Sequence, residues 1–224
     1  MAHGLVDESE TFVDQAVTSV RALPSGEVAV DGERYDGAII ATPAAAAAAL
    51  LGDAAPAGLG AIPTASVSLV TMEYAASDLD APPGVSGILV ARDEGMLMTA
   101  CSFAGTKWPH WSTPGRVLLR VSTGRDGDLR QARLDDVTLV ERLADELRTV
   151  TGATGDPVAW RVSRWDGAFP QYRVGHLETV AGIETALRAG APGVRLAGAS
   201  YRGAGVPACI ASGRRAAASL TGPG

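Results

Sequence analysis

Segment 194–214, VRLAGASYRGAGVPACIASGR, joins a short apolar strand to small residues and then sets Pro207 where a helix takes its first turn. Glycines at 198, 203 and 205 permit close backbone approach to a ligand. The N–H groups that open the coming helix aim at any anionic or polar group lying there. The chemistry this suits is the holding of a cofactor. A connection that needs glycine only for packing fits the same residues, so the pattern alone leaves both readings open.

Side-chain catalysis has no comparable signal. Cys101 and Cys209 make no disulfide framework, and the isolated His3, His110 and His176 make no metal cluster. Ser200 lacks the GxSxG elbow of a hydrolase, and no carboxylate pair or triad stands out. The sequence therefore assigns no catalytic residue and no metal ligand. His176 reads as a capping or orienting group. Lys107 and Trp108, in segment 105–111 GTKWPHW, fit either a substrate edge or an exposed loop. That absence agrees with an enzyme whose cofactor carries the chemistry while the protein positions and tunes it.

The elements that must position these residues follow from periodicity. Alternating apolar positions over 16–23, a Pro24-Ser25-Gly26 break, residues 27–30, an Asp31-Gly32 turn and residues 34–41 predict a small antiparallel meander. After Thr42-Pro43 an alanine run predicts a helix ending near Gly52. Residues 65–74, 87–91, 96–103 and 116–123 read as strands of one antiparallel sheet. Val137, Leu139, Val140, Leu143 and Leu147 have amphipathic helical spacing over 135–149, with Gly152 to end the helix. A strand over 157–165, a helix over 177–188, and the last strand and helix complete the chain.

The 224 residues are 46% hydrophobic, enough for a real core. A net charge of −6 with a single lysine, Lys107, argues against a nucleic-acid partner. The longest apolar run, 44–51, falls far short of the roughly 20 residues a bilayer requires, so no transmembrane segment is expected. Acidic residues in 1–10 stand where an export signal would be basic and then apolar, and a cytoplasmic location is expected.

Residues 196–214 resemble the C-terminal signature of the FAD-dependent protoporphyrinogen and coproporphyrinogen oxidases, within the flavin amine oxidase superfamily. Arg164-Trp165, Pro170-Gln171-Tyr172 and Gly175-His176 match the RW…PQY..GH pattern of the same oxidases. The meander, the apolar strand Ala38-Ile39-Ile40-Ala41 and Thr42-Pro43 match the family's V-x-x-A-x-P return to the FAD domain. The similarity runs from about Val17 to Leu220. No GxGxxG turn for the FAD pyrophosphate is present, so the chain reads as the C-terminal half of such an enzyme.

The resemblance implies an α+β or α/β fold in three parts: an FAD-domain meander and return strand (1–44), a substrate-binding domain with an antiparallel sheet (45–165), and a return to the FAD domain (166–224). It implies FAD as cofactor. Ala204, Gly205 and Val206 would lie beside the flavin ring, Trp165 would pack by it, and the backbone of Val17 would face the adenine. The implied reaction is oxidation of a porphyrinogen substrate to the porphyrin in haem biosynthesis, by three hydride-type steps with molecular oxygen as final acceptor. Arg120 and Arg125 are expected at the pocket rim, facing propionates. A related amine oxidase or carotenoid desaturase, or an inactive fragment without flavin, is the alternative.

Overall fold

The computed structural model describes residues 13–79 and 84–221; the acidic stretch 1–10, with His3 and Gly4, lies outside them. In chain order the elements are β1 (Val20–Ala22), β2 (Val28–Val30), β3 (Glu33–Tyr35), β4 (Ala38–Ile40), α1 (Ala44–Leu51), β5 (Thr64–Ala75), β6 (Gly87–Leu89), β7 (Met98–Phe103), α2 (Ala104–Lys107), β8 (Arg116–Thr123), α3 (Asp136–Thr151), β9 (Ala159–Pro170), α4 (His176–Gly190), β10 (Val194–Leu196) and α5 (Val206–Thr221). They fall into two units, residues 1–62 with 173–224, and residues 63–172.

In the first unit β1, β2 and β3 form the antiparallel meander, with Val20 opposite Val30 and Val28 opposite Tyr35. Both residues of the Asp31-Gly32 turn have positive φ, 47° and 93°, the hairpin geometry that Asp-Gly favours. The Asp31 carboxylate accepts the Thr18 hydroxyl at 2.7 Å and the N–H groups of Thr18 and Ser19 at 3.0 and 2.8 Å. These bonds, that of the Thr18 side chain foremost, hold its carboxyl below the ordinary range.

Residues 34–41 are not one strand. β3 belongs to the meander, whereas β4 pairs in parallel with β10, Ile40 opposite Leu196. The chain changes sheets at Gly37, where a Cβ would sit 3.1 Å from the Gly193 carbonyl oxygen and from the Leu220 side chain. α1 forms as its alanines require and ends at Gly52. Its buried Ala44, Ala47 and Leu51 join Val20, Val28, Ile40, Ile183 and Val194 in one apolar core.

The second unit is a five-stranded antiparallel sheet, in the order β6, β7, β8, β5, β9, with α3 against one face. Val70, Met72 and Tyr74 of β5 and Leu119 and Val121 of β8 meet Leu139, Leu143 and Leu147 of α3 in the core. Fully burying each such leucine contributes about 1.5–3 kcal/mol. Asp135 caps α3 by accepting the Thr138 N–H at 2.9 Å, and Gly152 closes it with φ 76°. The Glu146 carboxylate on α3 accepts the N–H groups of Leu97 and Met98, both at 2.7 Å, tying the helix to the start of β7.

The breaks between units lie later than the boundaries after 44 and 165 in the three-part reading. α1 packs into the first core, and β9 continues along β5 as far as Pro170. A bulge opposite Ala65 to Val67 lets it continue, with the Gly167 N–H donating to the Ser66 hydroxyl at 2.9 Å. Among the described residues no helix is long and apolar enough to cross a membrane.

Candidate functional site

The turn between β10 and α5 is pinned on its N-terminal side and open at its tip. Buried Ser200 accepts the Ala44 N–H at 3.2 Å, so it caps α1 from the far end of the chain. The His176 Nε2 donates to the Tyr201 carbonyl oxygen at 2.7 Å. Arg202 pairs with Glu184 of α4 at 2.7 Å. Burial of Tyr201 pushes its phenol up to about 12, so it stays a neutral packing group at this bend.

After these anchors Ala204, Gly205 and Val206 are exposed, Val206 at 74%. The two flanking glycines differ in kind. Gly203 has φ 143°, and a Cβ there would meet the Ala208 Cβ at 2.6 Å, so the backbone itself demands glycine. At Gly205 a Cβ would meet only the Pro207 Cδ, at 3.9 Å. The fold leaves that position open without requiring it. The Cys209 N–H bonds the Gly205 carbonyl at 3.0 Å, which makes residues 205–206 the helix start, where N–H groups lack helical partners. Val17 lies in the same unit, 43% exposed, just ahead of β1.

Trp165 stands in the second unit, on β9, and is 52% exposed. Its neighbour Arg164 points to the opposite face of the sheet, as a strand's period of two requires. There the Arg164 guanidinium binds the Asp136 carboxylate at 2.6 Å and the carbonyls of Gln131 and Leu134 at 3.1 and 2.8 Å. It fastens the loop that leads into α3. Trp165 is opposite Val67, on the face away from α3.

That face carries a cavity of about 480 Å³. Its apolar wall is Val67, Leu69 and Phe169, and Arg92 and Arg125 line it together with the Asp126 carboxylate. The Arg125 guanidinium donates to the Val90 carbonyl at 2.9 Å, which steadies it. Arg125 thus lines the cavity, but Arg120 does not, and Arg92 and Phe169 join it unannounced by the sequence. Lys107 and Trp108 are elsewhere: the ammonium sits 4.8 Å from the Trp108 ring, which packs on Trp111 at 4.9 Å. Trp111 lines a second cavity beside Arg116, at the other end of β8.

The family model described as flavin containing amine oxidoreductase matches residues 2–221. The chain belongs to that family. It is 32% identical over 182 residues to the coproporphyrinogen III oxidase of Bacillus subtilis, covering 81% of this chain and 39% of that protein. With the coproporphyrinogen III oxidase of Mycobacterium bovis it shares 39% identity over 188 residues, 83% of this chain and 40% of the relative. A crystal structure from an Exiguobacterium species, provisionally named a protoporphyrinogen oxidase, superposes with a TM-score of 0.77 at 28% identity, over 89% of this chain and 44% of that one. The chain therefore spans about two fifths of the length of the curated relatives it matches.

This flavin amine oxidoreductase chain has the mixed α/β architecture with an antiparallel sheet that the resemblance implies. The open position at Gly205, beside exposed N–H groups at a helix start, fits a flavin. Among the described residues a Cβ at 205 would meet only the Pro207 Cδ, and the anchors at Ser200, Tyr201 and Arg202 fix the turn while 204–206 stay exposed.

Proposed function

We propose that this chain is the C-terminal half of an FAD-dependent porphyrinogen oxidase, which converts coproporphyrinogen III or protoporphyrinogen IX to the porphyrin in haem biosynthesis, with molecular oxygen as acceptor and in the cytoplasm. The observation that carries the reading is the open glycine at 205 on a pinned helix start, in a chain 39% identical to a coproporphyrinogen III oxidase. Ala204, Gly205 and Val206 hold the flavin ring, Trp165 packs by it, and Val17 meets the adenine. The unit of residues 1–62 and 173–224 belongs to the FAD domain, and the unit of residues 63–172 to the substrate domain.

Bound FAD would supply the acceptor for hydride leaving the macrocycle. The chain's own contribution is placement and electrostatics. N–H groups at residues 205–206 and the positive end of α5 favour negative charge gathering at the ring. Val67, Leu69 and Phe169 give the macrocycle an apolar seat that excludes water, and Arg92 and Arg125 face its carboxylates. No side chain of this half is assigned a proton transfer.

The pyrophosphate and ribose contacts belong to an N-terminal GxGxxG unit. The 224-residue chain by itself is expected to purify with little or no FAD. Joined to such a unit and given coproporphyrinogen III in air, it is expected to generate porphyrin fluorescence at a rate that depends on oxygen. Turnover of a primary amine or a carotene precursor, with neither porphyrinogen oxidised, would overturn the reading.

A further inference from the structure

The open face of the second unit holds a second pair of arginines that the cavity does not use. Thr71 of β5 is directly opposite Arg120 on β8 and Arg161 on β9, so the three side chains share one face and form a row across three strands. It is the face of Leu69 and Trp165, because Met72, the next residue of β5, is buried against α3. Both arginines are exposed, and among the described residues neither has an ion-pair or hydrogen-bond partner. Glu73, one row along this face of β5, is engaged by Arg116 at 3.5 Å.

The two arginine pairs lie at opposite ends of one apolar seat. Leu69 faces Ser122 and Ser163 in the row between, and Val67 faces Trp165 one row further on. Gly124, which lines the cavity beside Arg125, is four residues on from Arg120 and directly follows the end of β8, or about 13 Å at the rise of a strand. Arginines thus bound the apolar surface at both ends, with Asp126 beside Arg92 and Arg125 at one of them.

We propose that Arg120 and Arg161 form a second carboxylate subsite, opposite Arg92 and Arg125, which makes this face select a tetrapyrrole with carboxylates on all sides over one with carboxylates along a single edge. The inference rests on the porphyrinogen reading above and adds a specificity to it. Coproporphyrinogen III has a propionate on each of its four rings, whereas protoporphyrinogen IX has two, on adjacent rings. Only the first can engage both ends at once through the charge-assisted, bidentate pairing that arginine offers.

The test is a fluorescence titration of the 224-residue chain with coproporphyrin III and, separately, with protoporphyrin IX, the stable fluorescent products of the two candidate substrates. Wild type is expected to bind the tetracarboxylate at least 10-fold more tightly. An Arg120→Gln/Arg161→Gln variant, with an unchanged circular dichroism spectrum, is expected to lose that 10-fold advantage while holding the dicarboxylate as before. Arg120→Lys/Arg161→Lys is expected to restore part of it. Equal weakening of both porphyrins, or no change in either, would overturn the subsite while leaving the porphyrin reading intact. Failure of wild type to bind either porphyrin would overturn both.

Discussion

His176 Nε2 and the Tyr201 carbonyl oxygen are 2.7 Å apart, a buried bond from the first residue of α4 to the bend that precedes the exposed turn. A histidine inside a family motif invites a proton-transfer role, yet this one serves the backbone. Removing the donor leaves a buried carbonyl without that partner, which costs about 1–3 kcal/mol. His176→Ala is therefore expected to lower the midpoint of chemical denaturation by a matching amount. Unchanged stability would show that the bond does not anchor the bend.

The pleat puts Arg164 on the α3 face of the sheet and Trp165 on the other, where the proposed function sets it beside the flavin. Arg164→Ala removes charge-assisted bonds to Asp136, Gln131 and Leu134 and is expected to cost about 1.5–3 kcal/mol in a denaturant melt. Half-exposed Trp165→Leu is expected to leave the melt within about 0.5 kcal/mol while weakening flavin binding in a complete enzyme.

Asp31 predicts an acid sensitivity in the meander. Its folded carboxyl is held below the ordinary value of 3.8, so its stabilising contribution is complete above that pH. The contribution then fades as pH falls through the lowered folded value. Asp31→Asn should melt earlier than wild type near neutral pH, and the gap should close on titration to strong acid. A gap that persists undiminished in acid would assign the effect to something other than the carboxylate.

Much of this arrangement was legible in the sequence where local chemistry decides it. Asp31-Gly32 gave its hairpin, the alanine run its helix, and Asp135 with Gly152 the two ends of α3. The expected single strand over 34–41 divides, because the switch at Gly37 depends on Gly193 and Leu220, both far along the chain. Ser200 as a cap for α1 was invisible for the same reason. Arg92, Arg125 and Phe169 carry no shared spacing, and only the strand register and the bulge in β9 bring them to one cavity.

Gly203 and Gly205 provide a matched pair. Gly203→Ala forces a Cβ against Ala208 at a backbone angle that side chains rarely adopt, and it is expected to destabilise the chain by more than about 1 kcal/mol. Gly205→Ala meets open space and is expected to melt like wild type. Equal effects at the two positions would remove the distinction between a glycine the fold requires and one it leaves open.

The flavin content and porphyrin output of a complete enzyme with Gly205→Asp is the most direct measurement of the central claim. The new carboxylate stands in the open position at the start of α5, where negative charge is to be accommodated, and the fold has room for it. The expected result is a folded protein with no bound FAD, or with FAD and no porphyrin fluorescence from coproporphyrinogen III in air. A folded Gly205→Asp enzyme with full flavin content and an undiminished rate would contradict the assignment of this turn to the flavin.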